Sequence, residues 1–118
     1  MGAILIVDDV PDIRLFCRVV LEGGGHEVTE ASTVDEAIKA LESTPLDGVL
    51  LDIRLFDREG WDVLKVVRDR EDLRGTRVIV CSAHAGPGDQ RRAVEEGAAG
   101  FLGKPFMPKE LLRVFAPE

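Results

Sequence analysis

Apolar runs and stretches of helical period alternate from one end of the chain to the other, and each run stops at a polar residue or a glycine. Ala3 to Val7, Gly48 to Leu51 and Val78 to Cys81 are continuous apolar runs, the pattern of strands covered on both faces in a parallel sheet. They predict three central strands. Glu27 to Ala31 instead sets Val28 among Glu27, Thr29 and Glu30, and Ala99 to Leu102 is short, so both suit sheet edges. Between the strands, Ile13, Phe16, Cys17, Val20 and Leu21 form one helical stripe that begins after Pro11 and stops at Gly23, Gly24 and Gly25. Thr33 and Glu36 make a capping box ahead of Val34, Ala37, Ile38 and Leu41, which recur at i, i+3, i+4 and i+7. Val63, Leu64 and Val67 after Gly60 predict a third helix, Asp89 to Glu96 a polar fourth ended by Gly97, and Glu110 to Phe115 a short fifth.

Right-handed crossovers with helices on both faces, and the second and fifth strands at the edges, select an α/β doubly wound (βα)5 three-layer sandwich with parallel strand order 2-1-3-4-5. Ligands of such sheets bind beyond the carboxyl ends of the strands where the order reverses, here the crevice between strands 1 and 3.

Composition narrows the classes that this fold can serve. The 118 residues allow one core, so residues 1–118 read as a single domain, with connections short and no internal repeat or linker. Fifteen Lys+Arg against 22 Asp+Glu leave a net charge of −7, and no block of basic residues offers a surface for a phosphate backbone. Direct nucleic-acid binding is not expected. No apolar stretch approaches the roughly 20 residues of a membrane span, and only five apolar residues precede Asp8, so no signal peptide or membrane association is expected and a cytoplasmic location is. Cys17 and Cys81 lie inside apolar runs and read as buried small hydrophobes rather than a disulfide.

The residues just past the strand ends carry the chemistry. Asp8 and Asp9 follow strand 1, Asp52 strand 3, Ser82 strand 4, and Lys104-Pro105 strand 5. Three carboxylates brought to one rim repel each other unless a cation stands among them. An oxygen-only donor set on a semi-exposed rim suits Mg²⁺, which keeps several waters and pairs with one or two carboxylates plus a phosphoryl group.

Asp8-Asp9, Asp52 with Gly60 eight residues later, Ser82-Ala83, and the run from Gly97 through Phe101, Lys104 and Pro105 to Phe106, in that order, resemble the receiver domain of two-component response regulators, with its flavodoxin-like fold. The resemblance spans Ala3 to Phe115. It implies that Asp52 is the phosphoacceptor, taking a phosphoryl group from a sensor histidine kinase or histidine phosphotransfer protein. It implies a site for Mg²⁺ (or Mn²⁺) held by Asp9, Asp52 and the backbone carbonyl of Arg54, with Asp8 acting through a water. Lys104 and Ser82 would bind phosphoryl oxygens, and Pro105 would follow a cis bond. Ser82 and Phe101 would form the switch that reshapes the helix 4, strand 5 and helix 5 face toward an unidentified target or effector domain, with a phosphorylation-dependent dimer as one outcome. Beyond reaction with small phosphodonors and loss of its own phosphoryl group, no enzymatic activity is implied.

Phe56, Arg58, Ser82 and Phe101 depart from the commonest residues of that family without removing a chemical role, and Arg54 and His84 stand where the family tunes acyl-phosphate lifetime. Simpler readings apply to the remaining polar residues. His26 and His84 read as solvated loop histidines, Trp61 as half-covering the start of helix 3, Asp57, Arg58 and Glu59 as a solvated loop, and Arg91, Arg92, Glu95 and Glu96 as the wet face of helix 4. The competing function is a receiver-shaped protein-binding module that works without phosphorylation. A haloacid dehalogenase-type phosphatase is disfavoured because Asp52-Ile53-Arg54 lacks a second acid, and a flavodoxin because Asp8-Asp9-Val10-Pro11 would repel a flavin phosphate. The chain is either a stand-alone regulator or one domain of a longer one.

Overall fold

The computed structural model describes residues 2–55, 58–83 and 87–116. Phe56, Asp57, His84 and Pro117 lie outside the described residues. The elements run β1 (Ala3–Val7), α1 (Pro11–Gly23), β2 (Glu27–Ala31), α2 (Val34–Ser43), β3 (Gly48–Asp52), α3 (Trp61–Asp69), a 3₁₀ turn (Glu71–Leu73), β4 (Arg77–Ser82), α4 (Pro87–Glu95), β5 (Gly100–Gly103) and α5 (Pro108–Val114). The five parallel strands stand in the order β2-β1-β3-β4-β5, the flavodoxin-like arrangement. Relative to the sequence pattern, α4 and α5 each begin two residues earlier, at a proline that suits a first helical turn. The 3₁₀ turn, too short for any periodicity, was not foreseen.

Strand alternation divides the core into two layers. Leu5, Val7, Val49, Leu51, Val78 and Val80 face α2, α3 and α4, meeting Val34, Ala37, Leu41, Val63, Leu64, Val67 and Ala93. Ile4, Ile6, Leu50, Ile79 and Cys81 face α1 and α5, meeting Cys17, Leu21, Leu111 and Phe115. Each fully buried aliphatic side chain contributes about 1.5–3 kcal/mol. Because β1, β3 and β4 are covered on both sides, their ends are held rigidly, and whatever stands there inherits that rigidity. Cys17 and Cys81 are both buried and free.

Two glycines with positive φ close helices. Gly25 (φ 90°) ends α1: His26 N–H donates to Leu21 O (3.0 Å) and Gly25 N–H to Glu22 O (3.0 Å). Gly97 (φ 94°) ends α4 in the same way, through Ala98 N–H to Ala93 O and Gly97 N–H to Val94 O. An L side chain is strained in that region, which accounts for glycine at both positions. The first closure also corrects the reading of His26. Its backbone bond folds it back over the helix end, so it is buried rather than solvated, and its Nδ1 has no hydrogen-bond partner among the described residues. Among those residues no helix is long and apolar enough to cross a membrane.

Candidate functional site

The ends of β1, β3 and β5 bring Asp8, Asp9, Asp52 and Lys104 together. One carboxylate oxygen from each of Asp8, Asp9 and Asp52 lies within 4.8 Å of the others, an oxygen donor set that could hold a divalent metal. Lys104 Nζ donates to Asp8 Oδ2 (2.7 Å) and Asp52 Oδ2 (2.8 Å), so one ammonium is shared by two carboxylates. Both acids are almost wholly buried, and the lysine side chain is 15% exposed.

Each group is aimed by local backbone. Asp8 Oδ1 accepts from Val10 N–H (2.9 Å), which turns the chain from β1 into α1, and Arg14 Nη1 donates to Asp8 O (2.7 Å). Asp52 ends β3 opposite Cys81 of β4, and its Oδ1 accepts from Arg54 N–H (3.0 Å). Lys104 N–H donates to Ser82 O (3.0 Å), fixing the strand from which its side chain reaches across the crevice. The Lys104–Pro105 bond is cis.

Burial pushes the Asp52 carboxyl above its ordinary value, against the opposing pull of Lys104 and of the Arg54 N–H. For Lys104, burial acts to lower the ammonium, but the hydrogen bonds to Asp52 and Asp8 outweigh it and the net direction is upward. The lysine therefore stays charged, and the crevice holds a carboxylate of raised proton affinity against a fixed cation.

Gly60 shows why its position excludes a side chain. Its N–H donates to Ile53 O (2.8 Å), and a Cβ there would stand 2.8 Å from Asp52 O and 3.0 Å from Leu51 Cδ1. Gly60 thus lies directly against the end of β3. Ser82 is fully buried at the end of β4, paired with Gly103. Phe101, paired with Val80, is half-buried and packs against the core layer on the α2, α3 and α4 side.

Several polar residues read from sequence as wet are engaged. The guanidinium of Arg92 lies over the Trp61 ring, 4.3 Å from its centroid, and Trp61 is buried rather than half-covered. Arg54 pairs with Glu59 and with Asp89 of α4 (3.3 Å), Arg58 with Asp35 (2.9 Å), and Glu96 with Arg68 (3.6 Å). These partners are 5 to 35 residues apart and leave no periodic trace. Beside Lys104, an open groove of about 370 Å³ lined by Ile13, Phe16, Ala83, Pro105 and Phe106 leads to solvent.

A five-stranded doubly wound sheet with clustered acids at its reversal point and a lysine reaching in from the last strand puts a charged, oxygen-rich crevice where sheets of this kind bind their ligands. The family model for the response regulator receiver domain matches residues 4–116, and the chain belongs to that family. It is 36% identical over 111 residues to the KDP operon transcriptional regulatory protein KdpE of Escherichia coli K12, covering 94% of this chain and 48% of that protein. It is 34% identical over 109 residues to the phosphate regulon transcriptional regulatory protein PhoB of the same organism, covering 92% of this chain and 48% of that protein. The chain therefore spans about half the length of the curated relatives it matches. Among solved structures, the chemotaxis response regulator CheY4 of Vibrio cholerae superposes with a TM-score of 0.88 at 28% identity, covering 96% of this chain and 94% of that one. The chain is a two-component receiver domain, a signalling module rather than a classical enzyme.

Proposed function

We propose that this receiver, taken as residues 1–118, accepts a phosphoryl group on Asp52 from the phosphohistidine of a sensor histidine kinase or histidine phosphotransfer protein in the cytoplasm. The observation that carries the reading is the shared lysine: Lys104 Nζ lies within hydrogen-bond distance of Asp8 and Asp52 at the end of β3. In the transfer, an Asp52 carboxylate oxygen attacks phosphorus and a P–O bond forms. The P–N bond breaks, and its electron pair leaves with the imidazole, which takes up a proton from water. Arg54 N–H, bonded to Asp52 Oδ1, holds the carboxylate plane during attack. Lys104 then moves its hydrogen bond from Asp52 to a phosphoryl oxygen, and Ser82 donates to another.

Asp9, Asp52 and the Arg54 carbonyl would hold Mg²⁺ or Mn²⁺, with Asp8 acting through a water, and the three clustered carboxylates fit such an ion. When bound, the ion supplies charge compensation for the phosphoryl oxygens. Phosphorylation adds about one negative charge and new acceptor oxygens, which biases Ser82 and Phe101 toward a second arrangement of the α4-β5-α5 face. That face would engage an effector domain, a target protein or a second copy of the chain. Self-phosphorylation from small donors and loss of the phosphoryl group by hydrolysis belong to the same reading.

Incubation with acetyl phosphate and Mg²⁺ is expected to add the mass of one phosphoryl group, and Asp52→Asn to abolish the gain. Retention of the gain in Asp52→Asn would refute the assignment of the acceptor. No gain in the unmodified sequence, with partner binding intact in Asp52→Ala, would favour a module that works unphosphorylated.

A further inference from the structure

Helix α4 is thinly anchored by apolar contact. Of its nine residues only Ala93 is buried, so polar ties weigh heavily in fixing it against the sheet. Two such ties reach it from the segment that follows the acceptor. Arg54 Nη2 is 3.3 Å from both carboxylate oxygens of Asp89, and Arg92 stacks on Trp61, the first residue of α3. Asp89, Arg92 and Ala93 are spaced i, i+3, i+4 and share one helical face, so a single face of α4 carries the buried Ala93 and the contacts with Arg54 and Trp61. Arg54 meanwhile donates its backbone N–H to Asp52 Oδ1, and its side chain is also paired with Glu59 across an isolated antiparallel bridge. One residue thus touches the acceptor through its backbone and α4 through its side chain.

We propose that Arg54 is a positioning residue that latches α4 through Asp89 in the unmodified protein, and that phosphorylation of Asp52 draws the guanidinium off Asp89 and loosens α4. The inference rests on the phosphoacceptor reading of Asp52. Phosphorylation adds about one negative charge and several acceptor oxygens at the side chain that the Arg54 backbone already touches, and guanidinium pairs more strongly with phosphate oxygens than with one partly exposed carboxylate at 3.3 Å. Glu59 and Asp89 already share one cation, so the latch stands near balance. The Arg92–Trp61 stack is unaffected by charge at Asp52 and holds the far turn of the helix, so the loosening concerns the first turn.

Hydrogen exchange of the α4 amides, followed with intact mass, tests the latch. In unmodified protein, Asp89→Asn is expected to raise exchange of the Arg91, Arg92 and Ala93 amides, which bond to the carbonyls of the first turn of α4, about two- to fivefold, the range for one partly exposed ion pair, while β1 and β3 do not change. Asp89→Glu, which keeps the carboxylate, is expected to behave as the parent sequence. Phosphorylation by acetyl phosphate should raise α4 exchange in the parent to the level of Asp89→Asn and add little to that variant. A phosphoryl mass gain with α4 exchange unchanged in the parent, or with equal increments in parent and Asp89→Asn, overturns the latch and leaves the acceptor assignment standing. Absence of any mass gain sinks the acceptor assignment and the coupling together.

Discussion

Removing the cation that Asp8 and Asp52 share is the most direct perturbation of this crevice. In Lys104→Met the side chain keeps its approximate length and loses its charge, so two buried carboxylates face each other with nothing between. Their oxygens lie within 4.8 Å. At an effective dielectric constant of about 20, that separation corresponds to a repulsion of about 3 kcal/mol, in line with the cost of breaking a buried ion pair by deleting one partner. In EDTA, urea unfolding followed by the fluorescence of Trp61 is expected to show Lys104→Met less stable by about 3 kcal/mol. For an m value of about 2 kcal/mol/M this is a drop in midpoint of about 1.5 M. Two controls separate charge from packing. The double variant Lys104→Met with Asp8→Asn should recover most of the loss, giving a coupling energy of about 2 kcal/mol or more. Mg²⁺ should stabilise Lys104→Met more than the parent sequence, because a ligand that binds only the folded state contributes in proportion to its affinity, about 2.7 kcal/mol at a hundredfold excess over Kd. A loss below about 1 kcal/mol, or additive single and double variants, would show that the three carboxylates do not depend on Lys104.

Other outcomes follow from the same geometry. Gly60→Ala forces a Cβ to within 2.8 Å of Asp52 O, so a loss of about 1–3 kcal/mol is expected by denaturant titration, with unchanged stability refuting the close approach. The Cys17 thiol is pushed up to about 11 by burial, with Asp8 adding to the effect, and Cys81 is raised further by its deeper burial. Neither should react with a disulfide reagent at pH 8 until urea unfolds the chain, and reaction at the rate of a free thiol in native buffer would contradict their burial. Hydrogen bonds from Arg18 and Arg14 hold the Glu30 carboxyl below its usual range against some desolvation. A depressed carboxylate contributes stability above its unfolded value and loses it as pH falls through the folded one, so Glu30→Gln should cost about 0.5 kcal/mol at pH 7 and progressively less as acid protonates Glu30. A cost independent of pH would assign Glu30 a role other than its ion pairs.

The legible part of this molecule was the part written in period. Continuous runs at Ala3 to Val7 and Val78 to Cys81 predicted covered strands, and the alternation at Glu27 to Ala31 an edge; the sheet order follows from these. Asp8, Asp9, Asp52, Ser82 and Lys104 were candidates because polar residues flush against apolar runs stand at strand ends, and the structure places them along one rim. Contacts made by side chains far apart in sequence were not legible. Nothing near Arg92 points to Trp61, and nothing near Arg54 points to Asp89. The burial of His26 depends on the backbone closure at Gly25, a three-dimensional event that a lone histidine between a glycine run and Glu27 does not announce.

The shared lysine has a consequence for how the molecule is made. Lys104 is 96 residues from Asp8 and 52 from Asp52, and it is delivered by the last strand of the sheet. Any partly folded state in which β1 and β3 pair before β5 docks would hold those acids together without their lysine. Until β5 docks beside β4, Asp8 and Asp52 lack the ammonium that they share in the folded protein. Docking of the last strand is thereby the step that compensates the charge of the first and third strand ends.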